Sequence, residues 1–82
     1  MKGATTTTLF DISEVNDIKV KETLKYVYDV LEERGYNPIN QIVGYIMSGD
    51  LGYISSYKEA RNRISKIDRV LLIEELIKSY LK

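Results

Sequence analysis

Apolar residues recur at helical spacing through most of the chain. Leu24, Val27, Tyr28 and Leu31 follow the i, i+3, i+4, i+7 template of one buried helix face. Asn16 and Asp17 precede this run, and both residue types cap helix N-termini well, so a first helix is predicted to start there. Gly35 stands where a left-handed glycine would end it. Glu32 and Glu33 lie at the unfavourable pole of its dipole, with only Arg34 on the favourable side. The next boundary is marked twice over. Asn37 is a good N-cap, Pro38 fits the first helical position, and proline holds the preceding residue in the extended region an N-cap adopts. Ile39, Ile42, Val43 and Ile46 form the apolar face of this second helix. Tyr45 and Met47 widen that face, so the helix is expected to be largely buried. Gly44 in its middle costs about 1 kcal/mol relative to Ala, and close packing against another helix is the expected reason. Gly49 supplies the stop.

A loop follows from Asp50 to Ile54, with Asp50 shaping a turn. Ser56 and Glu59 have capping-box spacing, so a third helix is predicted there, burying Tyr57, Ala60, Ile64 and Ile67. Asp68 is placed to cap a fourth helix. Leu72, Ile73, Leu76, Ile77, Tyr80 and Leu81 give that helix an apolar arc wider than one stripe, and Glu74 with Lys78 reads as an i, i+4 pair on its outer side. Residues 1–15 break the pattern. Thr5, Thr6, Thr7 and Thr8 form a run of poor helix formers, and Leu9, Phe10 and Ile12 are the docking points of what reads as a flexible tail. No strand pair or hairpin turn appears. The expected fold is all-α: a compact bundle of about four to five short helices over residues 16–82, preceded by a tail over residues 1–15.

Length and composition narrow the function. The 82 residues suffice for one domain with a thin core. Twelve basic residues balance twelve acidic ones, which removes the usual footprint of a nucleic-acid binder. The absence of both Cys and His excludes a zinc finger, a thiol nucleophile, a Ser–His triad and a disulfide framework. No segment has the run of ~20 apolar residues that a membrane span needs, and threonines stand where a signal peptide would be apolar. A cytoplasmic protein is expected, with no cofactor and no metal.

Chemistry-bearing candidates are few. Glu32–Glu33 and Glu74–Glu75 are sequence neighbours, which do not face each other on a helix, and no phosphate-binding glycine motif occurs. We read the chain as non-enzymatic. Arg61, Arg63, Lys66 and Arg69 give the third helix a basic character, readable as a phosphate or partner site, as a nucleic-acid-contacting face, or as ordinary solvated surface. Seven tyrosines and the over-apolar fourth helix favour a homodimer, since a thin monomer core cannot use all that surface.

One stretch is specific enough to identify a relationship. The run Gly35-Tyr36-Asn37-Pro38-Ile39-Asn40-Gln41-Ile42-Val43-Gly44-Tyr45, with Ser48-Gly49-Asp50, Ala60-Arg61-Asn62 and Ile73-Glu74-Glu75-Leu76, resembles the IreB family from about Glu22 onward. The resemblance implies a small helical homodimer of the bacterial cytoplasm, phosphorylated by a membrane Ser/Thr kinase whose extracellular PASTA repeats sense the cell wall. It implies negative regulation of peptidoglycan synthesis, with an effect on cephalosporin resistance. In one branch of the family the unphosphorylated form promotes Clp-dependent degradation of the enolpyruvyl transferase that begins the pathway, and phosphorylation relieves this. A Clp protease system or its adaptor is thus an implied partner. The family's phosphoacceptor threonine lies three residues before an aromatic, which picks out Thr7 before Phe10, with Thr5, Thr6 and Thr8 as alternatives. The family tends to have Pro at the position of Leu51 and a Pro-Arg-His stretch at Ser55-Ser56-Tyr57, whereas Arg61 and Arg69 are retained. A partner site that uses the missing arginine is weakened in this chain. The alternative function is a small nucleic-acid-binding adaptor using the basic face of the third helix.

Overall fold

A computed structural model describes residues 12–82, with side-chain surroundings from residue 15 onward. Helix α1 spans Ile12–Glu33, α2 Pro38–Ser48, α3 Ala60–Ser65 and α4 Arg69–Leu81. Two 3-10 turns, Leu51–Tyr53 and Tyr57–Glu59, link α2 to α3. No strand occurs among the described residues, so the all-α expectation holds.

The helix ends follow local chemistry. Gly35 takes φ +85° at the end of α1. Its N–H donates to the Glu32 carbonyl and that of Tyr36 to the Leu31 carbonyl, the two bonds of a Schellman motif. Asn37 is extended, and its side chain accepts from the Asn40 N–H, with Pro38 opening α2 as expected. Gly49 closes α2 at φ +77°. The Asp50 carboxylate accepts from the Gly52 N–H and sets the first 3-10 turn. Asp68 caps α4 by accepting from the Val70 N–H.

The core lies where α1 meets α2, α3 and α4. Val20, Val27 and Leu31 of α1 are fully buried against Ile54, Ala60 and Ile64 of the central segment and Leu72 of α4. Each buried Val, Leu or Ile among them stabilises the fold by about 1.5–3 kcal/mol.

Seven local expectations are corrected. The first helix starts at Ile12 rather than near Asn16 or Asp17. Asp17 therefore sits inside it, with its carboxylate facing the Lys78 ammonium of α4 at 3.6 Å. At 22 residues α1 is also not short. The second helix is not largely buried. Ile42 and Tyr45 are buried, but Val43 is 51% and Met47 79% exposed, and Ile39 is exposed as well. Gly44 accommodates no helix. A Cβ there would fall 2.5 Å from the Tyr53 ring, whose backbone carbonyl accepts from the Gln41 side-chain amide. The Ser56–Glu59 capping box does not form, because Lys58 and Glu59 take left-handed conformations at φ 51° and 66° and delay the helix to Ala60. Tyr57, expected in the core, is consequently exposed, whereas Ala60, Ile64 and Ile67 are buried as expected. Finally, Lys78 pairs with Glu75 at 2.9 Å rather than with Glu74, since Glu75 lies on the side of α4 that faces Asp17.

The Gly44 contact makes a prediction. Gly44→Ala gains helix propensity but displaces the Tyr53 ring, and overpacking of this kind costs about 1–3 kcal/mol. Thermal melts should show net destabilisation for Gly44→Ala and recovery in Gly44→Ala with Tyr53→Ala. A stabilised single variant would contradict this.

Candidate functional site

The four basic residues singled out in the sequence do not share one open face. The Arg61 Nε donates to the carbonyl of Ile54 at 2.9 Å, and its side chain is half-buried. Arg69 reaches from the first turn of α4 to the end of α2, where its Nη1 donates to the Ile46 carbonyl at 2.9 Å. Its guanidinium occupies the space a Cβ at Gly49 would need, a second reason for glycine there beside the positive φ. Arg63 turns onto α1, its guanidinium 4.0 Å from the Tyr26 ring centre. Lys66 is exposed, with no acidic partner among the described residues. Arg61 alone of the four borders a hollow of about 280 Å³ shared with Ser56, Glu59, Asn62 and Ser65. Arg61 and Arg69 thus join separate chain segments, whatever else they bind. Arg61→Ala is expected to lower stability by about 1–2 kcal/mol, because the carbonyl of fully buried Ile54 loses its donor. Urea unfolding reads this directly. An unchanged midpoint would show that water replaces the arginine without loss.

The strained turn before α3 was not legible in the sequence. It is held from α1: the Tyr26 hydroxyl donates to the Lys58 carbonyl at 2.6 Å, and the Lys58 ammonium pairs with Glu33 at 3.1 Å. Exposed Tyr57 lies between Arg34, 4.6 Å from its ring centre, and Lys58, 5.3 Å from it. Such left-handed non-glycine residues cost about 1–3 kcal/mol each and persist only where surrounding contacts fix them. The hydrogen bond to Glu33, with its charge, holds the Lys58 ammonium above the ordinary lysine value of 10.5. Glu75 does the same for Lys78, and Asp29 for Lys25. A raised lysine pKa contributes stability that is complete below 10.5 and is lost as pH rises through the higher folded value. The three ammonium groups are exposed, so the contribution is small. Thermal stability should therefore hold steady from pH 7 to 9 and fall by pH 11, and Lys58→Met should lose part of that fall. A melt that is as stable at pH 11 as at pH 9 would contradict the assignment.

Two further surfaces complete the inventory. An apolar groove of about 520 Å³ opens between α1, α2 and α4, lined by Leu24, Tyr28, Ile39, Val43, Ile46 and Leu76. The exposed side chains of Met47, Ile73, Ile77 and Tyr80 extend the apolar surface along α2 and α4. A second cleft of about 420 Å³ lies between the first half of α1 and the last half of α4. Its floor is Val20, Leu24 and Leu76, and Lys21, Lys78 and Lys82 stand around it together with the carboxylates of Asp17 and Glu75. Among the described residues, no three acidic side chains gather to hold a metal ion, and no helix is long and apolar enough to cross a membrane.

The model of one protein family, described as IreB regulatory phosphoprotein, matches residues 5–82. The chain belongs to the IreB family of regulatory phosphoproteins. The matched span takes in the basic residues, both apolar surfaces and the threonine run as one unit. Thr7 and its alternatives Thr5, Thr6 and Thr8 lie outside the described residues, as does most of the 1–15 segment expected to form a tail.

Proposed function

We propose that this IreB-family chain is a non-enzymatic cytoplasmic switch. A PASTA-type Ser/Thr kinase phosphorylates it at Thr7, and it negatively regulates peptidoglycan synthesis and thereby cephalosporin resistance. The observation that carries this reading is the family match over residues 5–82, which includes the Thr7–Phe10 spacing along with the helical domain. Phosphorylation adds about −1.5 to −2 charges and three acceptor oxygens to a segment whose residues 3–10 carry no charged side chain. The unphosphorylated form acts through Clp-dependent removal of the first pathway enzyme, with a Clp protease or its adaptor as partner. Of the four basic residues, we assign Arg63 and Lys66 to that partner surface, whereas Arg61 and Arg69 hold backbone carbonyls of the domain itself.

The working unit we propose is a homodimer. The exposed apolar surface of α2 and α4 supports this, because a contiguous patch of this kind on a small protein marks an interface. Mass spectrometry of the protein from its host, with and without the kinase, tests the switch. A single phosphate on Thr7 that disappears with the kinase is expected. Absence of phosphate from the whole threonine run under cell-wall stress would overturn the reading.

A further inference from the structure

The lysine-ringed cleft between α1 and α4 has no established occupant. We propose that it is the seat of the chain's own N-terminal segment, with Leu9 and Phe10 on its apolar floor and phosphorylated Thr7 among its lysines. This rests on the reading of Thr7 as the phosphoacceptor and adds where the phosphate goes.

Reach selects the cleft. At about 1.5 Å per residue along α1, the cleft extends from about 7.5 Å (Asp17) to about 18 Å (Leu24) beyond Ile12. Measured back from Ile12 at about 3.4 Å per residue, a reversed chain carries Phe10 about 7 Å, Leu9 about 10 Å and Thr7 about 17 Å. These are upper limits, because the reversal itself uses chain, so the three residues reach no farther along α1 than the cleft does. The cations of α3 lie at or beyond the limit of that reach, since Arg63 stacks on Tyr26, about 21 Å along α1.

Chemistry agrees with reach. Val20, Leu24 and Leu76 offer an apolar floor to two large apolar side chains. Lys78 is engaged by Glu75 and Asp17, but Lys21 and Lys82 have no acidic partner among the described residues. The lining sets three ammonium groups against the carboxylates of Asp17 and Glu75, a net of one positive charge that favours the about −1.5 to −2 charges of a phosphothreonine. The segment supplies no charge of its own near Thr7, so docking strengthens with phosphorylation.

The absence of cysteine makes the test direct. A nitroxide is attached to Ser79→Cys beside the cleft, and a control nitroxide to Asn62→Cys on α3. The full chain is prepared by chemical synthesis with and without phosphate on Thr7. Isotope-labelled copies are also mixed with spin-labelled, unlabelled-isotope copies. Amide signals of residues 5–10 should lose more than half their intensity with the Ser79→Cys label in the phosphorylated chain, and less without phosphate. The Asn62→Cys label should leave them largely unchanged. Lys21→Gln with Lys82→Gln should restore most of the lost intensity. Equal broadening from both labels, or none from the first, overturns the proposal. Broadening seen only in the mixed samples assigns the cleft to the segment of a second copy and overturns it equally. Because the phosphate is introduced synthetically, docking can succeed or fail independently of whether the host kinase uses Thr7.

Discussion

Val43→Glu is expected to convert the protein from dimer to monomer. Val43 lines the apolar groove and is half-exposed in the isolated chain, so glutamate there leaves the core of the monomer intact. In a two-fold interface the same patch is used by both copies, and each substitution acts twice. An unpaired buried charge costs several kcal/mol, and a loss of about 4 kcal/mol would weaken association about a thousandfold. Sedimentation at tens of micromolar should show a dimer for the native chain and a monomer for Val43→Glu, with the same helical content by circular dichroism. A native chain that sediments as a monomer at that concentration would remove the homodimer from the proposed function. If Val43→Glu stays dimeric, the interface lies on another face.

The parts of the fold that could be read from the sequence are those decided within one turn of chain. Asn37 with Pro38, Gly35, Gly49, Asp50 and Asp68 each act through hydrogen bonds to residues a few positions away, and each behaves as expected. Two of the misreadings turn on a distant partner. Gly44 is kept small by Tyr53. The Ser56–Glu59 spacing is overridden by a turn that Tyr26 and Glu33 hold from another helix. Local spacing carries no information about such contacts.

The same division applies to the basic residues. Their sequence clustering suggested a common face, yet α3 is only six residues long and the chain turns again before Arg69. Arg61, Arg63 and Arg69 therefore point at three different neighbours: a loop carbonyl, an aromatic ring and the end of α2. A loss of partner binding in Arg61→Ala would mix a lost contact with a loosened fold. Arg63 and Lys66, which donate no hydrogen bond to a core carbonyl, are the cleaner probes of the partner surface. The lysine cleft escaped sequence reading because its cations come from both ends of the chain, Lys21 on α1 and Lys78 and Lys82 at the end of α4.

Thr7→Ala is expected to abolish the switch while leaving the fold untouched. Among the described residues, the buried core runs from Val20 to Leu72. Surface substitutions away from a core, cap or strained turn usually change stability by less than about 0.5 kcal/mol, so the melting curve should superimpose on that of the native chain. The functional effect should be large. Under the proposed function, a chain that cannot carry the phosphate stays in its inhibitory form. The first peptidoglycan enzyme should then fall to a low level by immunoblot, and cephalosporin sensitivity should rise even with the kinase fully active. Thr5→Ala, Thr6→Ala and Thr8→Ala should retain the phosphate and behave as the native chain. If Thr7→Ala unfolds the protein, Thr7 is a structural residue and its assignment fails. If Thr7→Ala remains phosphorylated and regulated, one of the neighbouring threonines is the acceptor, and the spacing to Phe10 was the wrong guide.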